Sequence, residues 1–212
     1  MHSCPLCKET NSRFYFEDKR RQYYQCSNCE LVFVPPEMRL DADAEKSMYD
    51  LHDNRPDDPG YRRFLSRVAT PLLERIPPGA EGLDFGCGPG PTLSLMLEEA
   101  GHSVALYDVY YYPEQKVLDK QYDFVTATEV IEHLYQPDMV WQQWLNLVKP
   151  GGWLGLMTKQ VKDAEAFAGW HYKNDITHVC FYSRRTFQYL AERDKLQLEF
   201  IGNDVILLRK PQ

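Results

Sequence analysis

The stretch Glu81-Gly82-Leu83-Asp84-Phe85-Gly86-Cys87-Gly88-Pro89-Gly90 decides the fold. Its first half is a short apolar run containing one acid, the pattern of a buried strand. Its second half sets glycine at alternate positions, which permits a tight turn and close approach of backbone to a ligand. Thr92 to Ala100 then reads as a helix. The loop is not the dinucleotide fingerprint G-x-G-x-x-G, because Pro91 stands where the third glycine is needed.

Working outward, Ser103 to Asp108 reads as a second strand whose terminal acid lies 22 residues after Gly86. An acid at that point of a Rossmann-like unit hydrogen-bonds ribose hydroxyls. Tyr122 to Thr128 is a further strand, followed by the loop Glu129-Val130-Ile131-Glu132-His133. Asp138 to Val148 is an amphipathic helix stopped by Lys149-Pro150-Gly151-Gly152, and Trp153 to Met157 is the next strand. Ser183 caps a helix through Phe187, Leu190 and Ala191. Leu196 to Ile201 and Val205 to Leu208 form a closing antiparallel hairpin around Gly202-Asn203. On the N-terminal side, Tyr61 to Ile76 has helical periodicity with Pro71 inside it and Pro77-Pro78-Gly79 at its end.

Four ordered segments of this pattern resemble the class I S-adenosylmethionine-dependent methyltransferases. They are the glycine loop after the acidic strand end, Asp108, the segment Asp123 to His133, and Leu147-Val148-Lys149-Pro150-Gly151-Gly152. The resemblance covers about residues 60–209. It implies an α/β fold: a Rossmann-like, mostly parallel sheet with a C-terminal antiparallel hairpin. It also implies S-adenosylmethionine as cofactor, held by Asp84, Gly86, Cys87, Gly88, Gly90, Asp108 and Glu129. Trp170-His171-Tyr172-Lys173-Asn174-Asp175-Ile176-Thr177-His178 is similar to a signature of one methyltransferase subgroup and borders the acceptor pocket in that fold, so Trp170 and Tyr172 are candidate substrate contacts. One departure is plain. The 14 residues between Asp108 and Asp123 leave no room for the family's usual helix and third strand. The fold is therefore abbreviated there, and Tyr110-Tyr111-Tyr112 either cover part of the adenosine or pack on the sheet edge.

Four of the six cysteines fall in the first 29 residues, as Cys4-x2-Cys7 and Cys26-x2-Cys29 with residues 8–25 between. This is the spacing of a structural zinc site, in which two turns each aim two thiolates at one ion. With β-prone runs at 14–16, 21–25 and 31–34, residues 1–36 read as a zinc ribbon whose four ligands leave no open position. A disulfide pair is disfavoured in a reducing compartment, and neither pair opens a helix as a redox CxxC does. Residues 37–60 read as a lid or linker and 61–212 as the methyltransferase domain.

For proton removal, His178 is the first candidate and His133 the second, since imidazole titrates near neutrality. Thr177-His178 also reads as a loop lock, and Glu129, Glu132 and His133 as a divalent-ion site. Tyr49, His52, Asn54 and Tyr61 form a polar-aromatic cluster placed to contact substrate. The net charge of −7 disfavours a nucleic-acid partner. The acceptor is accordingly expected to be a small molecule methylated on oxygen or nitrogen. The alternatives are an RNA or protein acceptor docked on the ribbon, with Arg62, Arg63 and Arg67 and Lys19-Arg20-Arg21 supplying contacts, or a cofactor binder without turnover. With no signal-peptide pattern and no membrane-length apolar run, the chain reads as cytoplasmic.

Overall fold

The computed structural model describes residues 2–50 and 55–212. Three short strands open the chain: β1 (Ser12–Glu17), β2 (Gln22–Cys26) and β3 (Val32–Phe33). Helices α1 (Ala42–Tyr49) and α2 (Pro59–Leu73) follow. The α/β core then runs β4 (Glu81–Phe85), α3 (Thr92–Glu99), β5 (Ser103–Tyr107), β6 (Tyr122–Thr128), α4 (Pro137–Leu147) and β7 (Val148–Met157). It closes with α5 (Ala164–Ala168), β8 (Cys180–Phe181), α6 (Arg184–Asp194), β9 (Gln197–Ile201) and β10 (Val205–Arg209).

Six strands form the main sheet in the order β5-β4-β6-β7-β10-β9. The first four pair in parallel, and β10 pairs antiparallel with β7 and with β9. Alternation along each strand sends neighbouring side chains to opposite faces. Phe124 and Leu207 join Leu65, Val68, Leu72, Leu93 and Leu97 of α2 and α3 in one buried layer. Val125, Ile206 and Leu208 join Trp141, Trp144, Phe187 and Leu190 of α4 and α6 in the other. A parallel sheet buried on both faces is what near-continuous apolar strands require. α2 runs through Pro71 and ends at Leu73.

The abbreviated segment is as the sequence predicts. Between β5 and β6 there is one turn of 3-10 helix, Gln115–Leu118, and β5 is left as the sheet edge. The β7 strand is longer than expected: Lys149 to Gly152 lie inside it, at a register shift against β6.

The cysteine-bearing strands belong to a second sheet of order β1-β2-β3-β8. Its fourth strand comes from far along the chain, with Val32 opposite Phe181 and Phe33 opposite Cys180. Leu31 to Val34 are fully buried. The ribbon thus shares one core with the catalytic half. Among the described residues, no helix is long and apolar enough to cross a membrane.

Candidate active site

The carboxyl ends of the parallel strands and the loops beyond them enclose a cavity of about 670 Å³, within the range of small-molecule sites. Gly86 and Gly88 lie in the left-handed region, at φ +74° and +65°. A Cβ on Gly86 would meet Val130 Cγ2 at 2.5 Å, so the loop needs glycine there both for conformation and for space. Gly86, Cys87 and Gly88 line the cavity, and Gly90 does not. Asp84 lies beneath the loop, 2% exposed, where its Oδ1 accepts the Thr126 hydroxyl at 2.8 Å. Burial pushes its pKa up to about 6, and the nearby Asp108 charge adds to the shift.

Asp108 fixes the turn that replaces the missing elements. Its Oδ2 accepts the Gly88 amide at 3.0 Å, and its Oδ1 accepts the Tyr110 and Tyr111 amides at 2.9 and 3.1 Å. Backbone hydrogen bonds in both directions between Asp108 and Tyr112 close the same turn. One carboxylate therefore ties the glycine loop to the tyrosine loop, and Asp108 still lines the cavity.

The tyrosine loop receives α1. The hydroxyls of Tyr110 and Tyr49 donate to Glu45 at 3.3 and 3.1 Å, and that of Tyr111 donates to Asp50 at 2.7 Å. Tyr49 packs edge-on to His133 with centroids 5.3 Å apart. The α1 helix buries no residue fully, so these contacts are what seats it over the cavity. Tyr49 and Tyr61 line the cavity as the sequence predicts; His52 and Asn54 lie outside the described residues. Burial raises the Tyr61 hydroxyl to about 12, with the charges of Asp84 and Glu129 adding to it. Those two acids give the surroundings of Tyr61 a negative character.

The histidines line the same cavity. His178 Nδ1 lies 2.7 Å from the Tyr172 carbonyl oxygen. A carbonyl only accepts, so Nδ1 bears the proton and Nε2 keeps its lone pair. Burial lowers the His178 pKa, which favours this neutral form. Nε2 sits 3.8 Å from Asp175 Oδ2, and Asp175 Oδ1 accepts from the Thr177 amide and hydroxyl at 2.9 and 2.6 Å. The loop lock and the chemically available nitrogen are thus two ends of one ring. His133 lines the same wall, its ring centroid 4.6 Å from that of His178.

Glu129 holds a left-handed backbone, φ +53°, uncommon for a residue with a side chain. Its carboxyl lines the cavity, and burial raises its pKa to about 7. Tyr172 does not line the cavity. It is buried behind the wall, where its hydroxyl donates to Glu129 Oε2 at 3.2 Å and also contacts Glu132 Oε1. Trp170 likewise lies off the cavity, packed against Tyr172 at 5.0 Å. The donor group brought together here is Glu132, His133 and His178, whose ligand atoms lie within 4.8 Å of one another. His178 thus takes the place the sequence reading gave Glu129. Thr128, Val130, Asp175 and Tyr135 also line the cavity. Of these, only Asp175 carried a sequence signal, as a neighbour of His178.

The basic tip of the ribbon overturns an expectation. Arg21 is neither a nucleic-acid contact nor a solvated hairpin residue: it is 2% exposed. Its Nη1 donates to the carbonyls of Ile176 and His178, both at 2.8 Å, and its Nη2 to those of Lys173 and Asp175 at 2.7 and 3.0 Å. Arg20 adds a bond to the Asn174 carbonyl at 2.9 Å. The ribbon therefore clamps the loop that carries Asp175 and His178. Of the other basic candidates, Arg62 pairs with Glu99 and Arg67 with Asp204, while Arg63 is exposed.

The four N-terminal cysteines converge as their spacing predicts. Cys4 Sγ lies 3.6 Å from Cys29 Sγ, and Cys7 Sγ 3.4 Å from Cys26 Sγ. A tetrahedral ion with Zn–S near 2.3 Å sets its sulfurs roughly 3.8 Å apart, whereas a disulfide needs about 2.05 Å. All four thiols are free, and three of them are buried.

A family model described as a methyltransferase domain matches residues 58–199. Among solved structures, an O-methyltransferase family protein from Burkholderia thailandensis aligns with 81% of this chain at 13% identity and a TM-score of 0.56; this chain covers 60% of that protein's length. The 1,6-didemethyltoxoflavin-N1-methyltransferase of Burkholderia thailandensis, solved with 1,6-didemethyltoxoflavin and S-adenosylhomocysteine, aligns with 96% of this chain and 100% of its own at 15% identity and a TM-score of 0.53. At such identities the likeness is one of fold. No protein of curated function matches the sequence significantly. The family match spans the glycine loop, Asp108, the Glu129–His133 loop and the His178 loop, and with them the chain belongs to the methyltransferase domain family.

Proposed function

We propose that the enzyme moves a methyl group from S-adenosylmethionine to an oxygen or nitrogen of a small-molecule acceptor. The observation that carries this reading is one cavity lined together by the glycine loop, the carboxylates of Asp108 and Glu129, the imidazoles of His133 and His178, and aromatic side chains. A macromolecule would need an open, basic approach, and Arg21, the most promising cation for one, is buried against backbone carbonyls. This takes away one of the cations on which an RNA reading counted; Lys19, Arg20 and Arg63 stay exposed.

The residues present suit the cofactor. Gly86 to Pro89 offer backbone without side-chain obstruction for its amino-acid portion, and Asp108 has lone pairs to spare for ribose hydroxyls. Asp84, Asp108 and Glu129 favour a cation, and Tyr61, Phe85 and Tyr107 offer aromatic surface. When bound, S-adenosylmethionine supplies a methyl group already activated on a sulfonium. What remains for the protein is to orient the acceptor, exclude water and take a proton where the acceptor has one. His178 Nε2 is suited to the last task where no ion occupies it, because Nδ1–H is anchored and the Asp175 carboxylate 3.8 Å away stabilises the imidazolium that forms. His133, beside it, shapes the wall. Four thiolates at the observed spacing suit a structural zinc ion holding the ribbon closed; a cytoplasmic setting keeps those thiols reduced.

The test is untargeted. Fractions of cell extract are incubated with enzyme and methyl-labelled donor. Label is expected in the low-molecular-mass fraction; label confined to RNA or protein would overturn the small-molecule reading.

A further inference from the structure

We propose that Glu132, His133 and His178 form a second metal site, for a divalent first-row transition ion, in the wall of the cavity. Two imidazoles and one carboxylate are a donor set that suits such ions, and their ligand atoms lie within 4.8 Å of one another. A second observation points to a ligand. Glu132 is fully buried, and its Oε2 has no hydrogen-bond partner among the described residues. A buried, unsatisfied carboxylate oxygen is costly to keep, and a cation among these three residues would satisfy it.

The supporting contacts are those a metal site needs. One residue, Tyr172, fixes two ligands at once: its hydroxyl holds Glu132 Oε1, and its carbonyl accepts His178 Nδ1–H, leaving Nε2 available. Orientation of a ligating imidazole through its other nitrogen is the usual support for metal-bound histidine. The Val179 amide donates to the Glu132 carbonyl at 2.8 Å, pinning the two ligand-bearing segments together. Arg21 pins the His178 carbonyl from the other side. Because His133 and His178 line the cavity while Glu132 lies behind them, the open side of the ion faces the cavity. The acceptor group seated there is then an oxygen donor. This last point rests on the methyltransferase reading; metal binding itself does not.

The probe is Mn²⁺, which favours nitrogen and oxygen over thiolate and so ignores the cysteine site. Full-length, zinc-supplied protein is titrated, and free Mn²⁺ is followed by electron paramagnetic resonance, with S-adenosylhomocysteine affinity measured on the same samples. Wild type is expected to bind one Mn²⁺ per chain with ¹⁴N couplings from imidazole. Glu132→Gln and His178→Ala are expected to lose it, and Tyr172→Phe to weaken it about 10-fold. Wild type that binds S-adenosylhomocysteine but no Mn²⁺, or that binds Mn²⁺ without ¹⁴N coupling, overturns the metal site and leaves methyl transfer standing. Equal binding by all variants overturns it as well. Failure to bind S-adenosylhomocysteine, with Mn²⁺ still bound, strikes the methyltransferase reading instead.

Discussion

Two regions outside the Rossmann-like core bound the cavity, and they are held by opposite means. The ribbon joins its sheet to β8, buries Leu31 to Val34, and fixes the His178 loop through four carbonyls on Arg21. The α1 helix buries nothing fully and rests on hydroxyl–carboxylate contacts from two tyrosines, Tyr110 and Tyr111, and on the packing of its own Tyr49 against Tyr110 and His133. Regions with few buried apolar contacts open at low free-energy cost, whereas those tied into the core open only with it. The difference teaches that one wall is tied into the core and the other is not, and on the proposed reading α1 is the lid through which ligands pass. The short connection after Asp108 makes this possible: with no helix there, the tyrosines are free to receive the lid.

The largest expected effect breaks the rigid wall. Replacing Cys29 with Ser should remove the zinc, a contribution on the order of 10 kcal/mol to a small metal-held fold. Because the ribbon shares the core, the whole chain should unfold at a much lower temperature. Metal analysis should return one zinc in the wild type and none in the variant. A cooperative, wild-type melt for the variant would show that the ribbon is not a structural partner of the core.

Next comes the clamp. Arg21→Ala leaves buried carbonyls without donors and should cost about 3 kcal/mol, read as a lower chemical-denaturation midpoint. It should also lower turnover more than cofactor affinity, since the carbonyls Arg21 holds belong to the His178 loop and not to the glycine loop. A change in S-adenosylhomocysteine affinity as large as the change in turnover would contradict that division.

The floor between the two walls gives a pH test. Asp84 has a folded pKa of about 6, above its ordinary 3.8. Its contribution to stability is therefore fully present below about pH 4 and is lost as pH rises through 6. At neutral pH the ionised group costs about 2–3 kcal/mol. Asp84→Asn should keep the Thr126 hydrogen bond, stabilise the protein above pH 6 by that order, and flatten the pH profile between 4 and 6. Unfolding midpoints across this range check it; a steeper profile would refute it.

The smallest effect belongs to the lid. Tyr110→Phe removes the hydroxyl that donates to Glu45 and should cost no more than about 1 kcal/mol. Its signature should be kinetic, with faster release of S-adenosylhomocysteine in stopped-flow. A large loss of global stability would mean that α1 is part of the rigid frame.

Much of this was legible in the sequence where neighbours along the chain determine the outcome. The glycine loop, the strand ending at Tyr107 and Asp108, the Ser183 cap and the two CxxC turns each depend on residues a few positions apart. What was hidden depends on long-range pairing. Arg21 reads as a surface cation until the loop more than 150 positions later closes over it. Glu132 and His178 become partners only because the Val179 amide meets the Glu132 carbonyl. Of the two readings of the tyrosine run after Asp108, the structure bears out the turn at the sheet edge, and it adds a contact with α1 that the sequence did not announce. Tyr172 looked like a substrate contact from its motif, yet it supports the wall from behind.

The most direct test of the central claim is calorimetric titration with S-adenosylhomocysteine of the wild type and of Asp108→Ala. Asp108 ties the glycine loop to the tyrosine loop and faces the cavity. The account predicts one site per chain in the wild type and its loss in the variant. No binding by folded wild-type protein would contradict it.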